Sequence, residues 1–235
     1  FLLPFIQLCY WFLLSYEDII DEDFMTLLYQ TLTLAISSAF IITALALLFV
    51  YNVRLNGDKT SSSLNQIVKM GYSIPGAVVG VGILSFFAVL DKYVFDIFSE
   101  TFIISGTIIA VIFGYCVRFL AISINNFESG FSRIPTSYDD AAKILNIGDK
   151  KTFFKIYVPL LKNASFSAFI VIFIEVIKEL PLTMILRPFN YDTLAVRALE
   201  LTQQAQIVES SVPSMFIIII GMISVILLAR NMNKV

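Results

Sequence analysis

Three ionisable side chains lie in a segment that is otherwise apolar, and they are the residues of this chain best suited to moving or binding ions. Glu175, Lys178 and Glu179 follow a stretch that begins near Asn163 and holds no other charge. A helix starting at Asn163 would place Glu175 about 18 Å along its axis, close to the middle of a bilayer. Charges at that depth are costly unless paired or hydrated, so they usually mark a transport path or an ion pair between helices.

The sequence leaves two interpretations of this triplet open. Glu175 and Lys178 share a helix face at i, i+3, so an internal ion pair is the first. The second is a lined path, because one lysine cannot neutralise two carboxylates. Pro181 removes a backbone hydrogen bond to residue 177, which predicts a kink or hinge at the same level. On the second interpretation, Glu175, Lys178, Glu179 and Pro181 form a translocation path or gate.

Residues of ordinary enzyme chemistry are scarce. The chain has no histidine, which removes the commonest general base and a common metal ligand. Cys9 and Cys116 both fall in apolar stretches, where a thiol behaves as a small apolar group. No Gly-rich loop ends in Lys-Ser or Lys-Thr to cradle a nucleotide. We expect no catalytic residue, no bound cofactor and no metal site in this chain.

Composition identifies the elements that must position the charged triplet. Hydrophobic residues make up 58% of the chain, the mean hydropathy is +0.85, and the charges are confined to short intervals. A helix needs about 20 mostly apolar residues to cross a bilayer. An all-α polytopic membrane protein with about six transmembrane helices is predicted. The expected spans are residues 27–51, 67–90, 101–124, 163–186 and 212–230, with a slightly short sixth at 1–16.

The first span begins at Phe1 and lacks the basic start and cleavage site of a signal peptide. We interpret residues 1–26 as a truncated first transmembrane helix with an external acidic loop. Residues 27–235 would form the main transmembrane module. On this interpretation the sequence is a fragment of a longer, two-module polypeptide.

Lys and Arg residues predict the orientation, because short cytoplasmic loops retain positive charge. If the spans are right, three basic groups share one side, which should be cytoplasmic. The opposite side is acidic, and its run from Glu17 to Asp23 is more typical of a solvated loop than of a cation trap. The basic groups are Arg54, Lys59 and Lys69; seven residues from Arg118 to Lys162; and Arg230 with Lys234.

A polar, basic island at residues 137–159 lies on the predicted cytoplasmic side. Ser137 is a candidate N-cap, and Asp140 three residues later gives a pattern like a capping box. A short helix from Tyr138 would end at Asn146, which tolerates the left-handed backbone conformation. The chain would then turn through Gly148.

A second amphipathic segment would run from Asp149 until Pro159 breaks it. The two short helices would form a compact knob under the membrane. The small side chains of Ala141 and Ala142 would let another surface approach this knob closely.

The order of these residues resembles the EAA loop of membrane subunits of ATP-binding-cassette (ABC) importers, where the loop forms coupling helices that dock into the cytoplasmic ATPase. This sequence departs from the family pattern at two positions: Asp140 occurs where the family usually has Glu, and Asn146 where it usually has Gly. An ordinary amphipathic loop resting on lipid headgroups is the alternative. The resemblance implies ATPase-coupling roles for Asp139, Asp140, Ala141, Ala142, Asn146, Gly148 and Pro159, in a coupling loop at residues 135–160.

Residues 175–197 are similar to the fifth core helix and the following external loop of ferric-iron importer permeases, which carry KELP and LRPF-x-x-DTLA patterns. Gly71–Gly82 and residues 3–8 also resemble the downstream half of that family. The resemblance implies the type I (MetI-like) importer permease fold and ferric iron as substrate. Thiamine, polyamine, sulfate and phosphonate remain alternatives, since a binding protein mostly selects the ligand.

The same resemblance implies a multi-pass protein of the bacterial cytoplasmic (inner) membrane. Its partners would be cytoplasmic ABC ATPase subunits, an external solute-binding protein, a second permease module upstream and the lipid bilayer, with no nucleic acid. A secondary transporter driven by proton or sodium coupling is the alternative from another class, with Glu175 and Glu179 as coupling carboxylates.

Small residues and one arginine in the other spans receive simpler interpretations. Gly76, Gly80 and Gly82 favour close helix packing over pore lining, since no polar residue accompanies them. Pro75 would bend that helix. Arg118 is expected near the end of its span, with its side chain extended to the cytoplasmic headgroups.

Overall fold

A computed structural model describes residues 2–56, 59–98 and 103–232, and within them all regular structure is helical. A 3-10 turn at Met70–Ser73 and a π turn at Phe153–Tyr157 complete it. The α-helices are α1 (Leu2–Ile19), α2 (Glu22–Asn56), α3 (Lys59–Lys69), α4 (Gly76–Phe98), α5 (Ile108–Phe131), α6 (Ser137–Ile144), α7 (Asp149–Thr152), α8 (Val158–Leu160), α9 (Lys162–Ile177), α10 (Pro181–Leu186), α11 (Leu194–Gln203) and α12 (Ser211–Met232).

Four helices of the described part are long and apolar enough to cross a membrane, namely α2, α4, α5 and α12. The helical stretch 149–160 and α9 meet at an angle of 73° and would make a fifth span if they act as one. This is fewer than the expected six. Helix α1 has only 18 residues and ends with Glu17 and Asp18, and α9 stops at Ile177 after 16 residues.

Two predicted spans begin too early. Helix α4 starts at Gly76 and not at residue 67, because Ile74 takes the extended conformation that a following proline favours. Pro75 therefore precedes α4 and does not bend it. Helix α5 starts at Ile108 and not at residue 101. The turn before α5 is held by the Asp91 carboxylate, which accepts hydrogen bonds from the backbone N–H groups of residues 104 and 105 at 2.7 and 3.0 Å.

The centre of the molecule is formed by α2, α5 and α9, with α10 packed against α4 and α5. Lipid tails are as apolar as these side chains, so close packing matters more here than withdrawal from water. Small residues permit that packing. A Cβ atom added at Gly114 of α5 would lie 2.8 Å from Leu186 and 3.0 Å from Leu182, so this glycine lets α10 approach.

The helices give the molecule two distinct ends. We call the first the loop end, where the C-termini of α2, α5 and α12 meet α6–α8 and the start of α9. The second, the acidic end, holds the α1–α2 corner, residues 187–193 and α11. There Tyr191 Oη donates to the Gln30 carbonyl at 2.9 Å, and Leu194 N donates to Thr31 Oγ1 at 3.0 Å. Burial of the Tyr191 phenol also raises its pKa above the ordinary value.

Candidate coupling surface and charged gate

The island at residues 137–159 folds as two short helical pieces joined by a turn. Asn146 has φ 51°, the left-handed conformation expected for it. This lets Ile147 N donate to the Ala142 carbonyl at 2.9 Å and Asn146 N to the Lys143 carbonyl at 3.0 Å, which closes the end of α6. The turn is therefore fixed by backbone hydrogen bonds.

The expected capping box at the start of α6 is absent. The helix begins at Ser137, one residue earlier than predicted, and Thr136 takes the N-cap position. Thr136 has helical dihedral angles and its side chain forms no capping hydrogen bond. The chain enters α6 through a continuous turn, in which Asp140 N bonds to the Thr136 carbonyl at 3.2 Å.

Asp139 connects α6 to the long helix α2. Its carboxylate accepts from Arg54 Nε at 3.0 Å and also from Tyr157 Oη. The Arg54 guanidinium further donates to the carbonyls of Phe131 and Ile134, both at 3.1 Å, and lies 5.2 Å from the centre of the Tyr157 ring. Arg54 thus connects α2 to α5, to α6, to the turn between them and to the π turn. Asp139 positions α6 and does not face outwards.

The second half of the coupling loop departs from the prediction in one respect. Pro159 does not end the helix, since α8 continues to Leu160. The proline lies just after the π turn at Phe153–Tyr157, within the continuous helical stretch 149–160. The 73° bend follows at the buried Leu161. Gly148 serves as the N-cap position of α7 with φ −65°, so its backbone does not require glycine.

The outer surface of the coupling loop is more apolar than the sequence suggested. Ile144 is 84% exposed, Leu145 69% and Phe154 67%. We call these three residues the apolar tip. Ala141 and Asp140 are also exposed, but Ala142 is 5% exposed and packs inwards, so the expectation that Ala142 admits an approaching surface is wrong. Two adjacent large apolar residues beside Lys143 in a polar helix were the signal that could have revealed the tip.

The charged triplet of the sequence separates into two pairs. Lys178 Nζ lies 2.8 Å from Glu175 Oε1, as the ion-pair interpretation expects. The Lys178 side chain is 54% exposed, whereas that of Glu175 is 18% exposed. Glu179 turns away from this pair and is buried, with its side chain 7% exposed.

Glu179 lies at a break between two helices. The expected continuous span 163–186 is interrupted, because α9 ends at Ile177 and α10 begins at Pro181. Glu179 Oε1 accepts from Leu182 N at 3.2 Å, and the Glu179 carbonyl accepts from Thr183 Oγ1 at 2.9 Å. The glutamate therefore holds the first turn of α10, and the predicted kink at Pro181 is a full break.

Arg118 is the partner of Glu179, which the sequence analysis missed. Its Nε lies 3.6 Å from Glu179 Oε2, an ion pair too long for a hydrogen bond, and its side chain is 19% exposed. The expectation that Arg118 reaches the headgroups is wrong because α5 starts later than predicted, which places Arg118 in the middle of the span. Arg118 Nε and Nη1 are buried and have no hydrogen-bond partner among the described residues.

Gly76 forms the wall that faces this inner ion pair of Arg118 and Glu179. A Cβ atom at Gly76 would lie 2.0 Å from Arg118 Nη1 and 2.6 Å from Glu179 Oε1. The predicted role in close helix packing is seen at Gly80, whose added Cβ would contact Ile185 at 3.2 Å. It fails at Gly82, which has nothing within 4 Å of that point. The first turn of α4 is thus fitted to a charged pair, not to an apolar helix.

The acidic run at residues 17–23 forms a helix corner and not an open loop. Glu17 and Asp18 belong to α1, and Asp21 caps α2 by accepting from Phe24 N at 2.8 Å. A cavity of about 540 Å³ opens beside it, with Arg197 among its lining residues. Across the described residues, no three His, Cys, Asp or Glu side chains form a group that could hold a metal ion.

Comparison with known proteins gives a consistent family match. Residues 42–235 match the family model described as "Binding-protein-dependent transport system inner membrane component". A putative ferric transport system permease protein (FbpB 1) of Haemophilus influenzae is 27% identical over 150 residues, which cover 64% of this chain. A putative 2-aminoethylphosphonate transport system permease protein (PhnV) of Salmonella typhimurium is 24% identical over 178 residues, covering 76%. The chain spans 21% of the first relative and 63% of the second.

Solved structures with a similar fold include a bacterial alginate ABC transporter in complex with an alginate pentasaccharide-bound periplasmic protein. That chain superposes with a TM-score of 0.75 at 13% identity, covering 97% of this chain and 85% of that one. A bacterial ABC transporter involved in import of the acidic polysaccharide alginate gives 0.71 at 12% identity, with 95% and 82% covered. At these identities the likeness concerns the fold alone, and it confirms the fold class predicted from the sequence.

Proposed function

Because the chain belongs to the family of binding-protein-dependent transport system inner membrane components, we propose that it forms a translocation path for ferric iron in a bacterial inner membrane. The helix-rich permease architecture makes it a multi-pass membrane protein and a transport component. The ferric assignment draws on the Haemophilus relative and on the KELP and LRPF patterns of residues 178–189. External binding protein, cytoplasmic ATPases and an upstream permease module would be its partners.

The observation that supports docking on an ATPase subunit is the apolar tip on an anchored loop. Ile144, Leu145 and Phe154 are largely exposed, and the loop that bears them is anchored through Asp139 and Arg54 to α2. An amphipathic loop resting on headgroups would not need such an anchor. A groove on an ATPase subunit would bury the tip and move the loop as one body.

The coupling loop is connected to the inner ion pair of Arg118 and Glu179 by a short stretch of chain. Leu161 ends the second helical piece, and α9 then runs directly to the break at Lys178–Leu180. A displacement of the coupling loop would change the tilt of α9 and so the contact of Glu179 with Arg118 on α5. Opening of this inner ion pair beside Gly76 is the proposed gating step.

A second candidate substrate is 2-aminoethylphosphonate, favoured by the Salmonella relative, whose match covers more of this chain. Uptake distinguishes the two. Cells that express the chain with the upstream permease module, the ATPase and the binding protein should accumulate radiolabelled ferric iron, and excess 2-aminoethylphosphonate should not compete. Accumulation of radiolabelled 2-aminoethylphosphonate with no iron uptake would overturn the ferric assignment. Uptake that persists in cells without the ATPase would instead indicate an ion-coupled transporter and overturn the importer proposal itself.

A further inference from the structure

A cavity of about 470 Å³ opens at the loop end between α5, α9 and α12, away from the apolar tip and the inner ion pair. Its volume falls within the range of about 300–1,000 Å³ that is typical of ligand sites. Polar side chains share its lining with apolar ones such as Val171 and Leu228. The polar residues are Asn126, Ser129, Arg133, Asn163, Ser167 and Asn231.

The walls of this cavity are fixed by direct contacts between helices. On one side α5 and α9 approach closely, since a Cβ atom at Gly130 would lie 2.9 Å from the Ala164 methyl carbon. On the other side Asn231 Nδ2 donates to the Asn163 carbonyl and to Ser167 Oγ, both at 3.1 Å. Two walls of the cavity are therefore contacts between helices, and Arg133 and Ile134 line it from the turn that follows α5.

The charge around the cavity is positive and is not neutralised within the described part of the chain. Arg133 lines it and forms no ion pair with a described residue, and no acidic residue is among its lining groups. The nearest acid in sequence, Glu128, is engaged by Lys69 at 2.5 Å and by Asn65 at 2.7 Å. An adjoining cavity of about 320 Å³ shares Asn231 and is lined by a second cation, Arg230.

We propose that this cavity binds the headgroup of an anionic phospholipid from the cytoplasmic leaflet. The assignment relies on the proposed orientation, which places the loop end at the cytoplasmic headgroups. Basic pockets between membrane helices on that side select anionic headgroups, each cation contributing about five-fold in affinity. Arg133 would bind the phosphate, and Asn126 with Asn163 would face the glycerol hydroxyls.

The apolar part of the lining fits the rest of such a lipid. Val171 and Leu228 continue the cavity towards the membrane interior, and Phe166 with Leu227 lines the adjoining one. An acyl chain can follow these side chains while its phosphate stays near Arg133. A soluble anion would leave this apolar wall exposed, so the lipid is favoured over free phosphate compounds.

Lipid retention tests the assignment. The full chain is purified in detergent, exposed to an equimolar mixture of phosphatidylglycerol and phosphatidylcholine, and examined by native mass spectrometry. We expect preferential retention of phosphatidylglycerol by the wild type and a loss of about five-fold in Arg133→Gln. Arg133→Lys should retain the preference. Lys92→Gln, a matched change of an exposed cation on α4 outside both cavities, should not alter it.

Four results would overturn the proposal. Equal retention of both lipids, or an unchanged preference in Arg133→Gln, would show that the cavity does not recognise anionic headgroups. Displacement of the lipid by soluble glycerol 3-phosphate would identify a free phosphate compound as the ligand. Efficient cross-linking of Ser167→Cys to a second permease module in membranes would show that protein covers the cavity. These outcomes concern only what occupies the cavity, and transport by the importer is judged separately by uptake.

Discussion

At the scale of single residues, the inner ion pair of Arg118 and Glu179 explains three sequence features at once. It accounts for a glycine at the start of α4, an arginine in the middle of α5 and a glutamate at the α9–α10 break. A buried pair contributes little net stability, but removing one partner leaves an uncompensated charge. The unfilled hydrogen bonds of Arg118 also leave this pair easier to open than a bidentate one.

Gly76 should be essential to the position of this pair. In Gly76→Ala the new methyl group meets Arg118 and Glu179 well inside normal contact distance, so one of them must move. We expect a loss of about 1–3 kcal/mol in stability and a strong fall in uptake. Gly82→Ala is the matched control, since its Cβ would enter open space. Equal thermal unfolding and uptake in both variants would contradict the assigned contact.

A double-mutant cycle separates the structural role of the pair from a gating role. Arg118→Gln alone should cost about 3–5 kcal/mol, because Glu179 is left buried and unpaired. Adding Glu179→Gln should restore most of that stability in detergent. If the pair is a gate, uptake stays low in the double variant although its stability and ATPase assembly return. Recovery of uptake together with stability would mean that the pair is only structural.

The sequence could identify the charges but not their partners. Glu175, Lys178 and Glu179 were visible as an anomaly in an apolar stretch, and the local pair of Glu175 with Lys178 follows from helix geometry. Arg118 was misplaced because the start of α5 depends on Asp91, a carboxylate more than ten residues upstream that holds the preceding turn. Such a contact is tertiary and leaves no local pattern.

At the scale of elements, the coupling loop is a rigid unit with one exposed apolar surface. Its turn was predictable, because Asn146 is among the few residues that adopt a left-handed conformation. The anchoring of the loop to α2 could not be predicted, because Arg54 lies 85 positions from Asp139 in the sequence. The inward position of Ala142 likewise follows from how α6 is held against the bundle.

The apolar tip should be the part of this element that contacts the ATPase. We expect Leu145→Lys to abolish co-purification with the ATPase subunit while thermal unfolding of the chain stays unchanged, because the side chain is 69% exposed. Leu64→Lys makes the same change at a 50% exposed leucine on α3. That control should retain the ATPase. Loss of assembly in both variants would indicate a general effect of charge at this end of the molecule.

At the scale of the whole molecule, the permease fold gathers positive charge and the apolar tip at the loop end and acids at the other. The class follows from hydropathy, as do the positions of the spans predicted at 27–51 and 212–230. The break between α9 and α10 does not, because it involves the tertiary contact of Glu179 with Arg118. Helix α9 leads from the coupling loop at the loop end to the inner ion pair.

Cross-linking in membranes tests the central claim, docking of the apolar tip on a cytoplasmic ATPase, most directly. With the chain and its ATPase co-expressed, a bifunctional thiol reagent should join Leu145→Cys to a cysteine in the groove of the ATPase. ATP binding should change the yield. Tyr93→Cys, an exposed site on α4 at the other side of the membrane, should give no product. A tip cysteine that reacts only with lipid-soluble reagents and never with the ATPase would contradict the account.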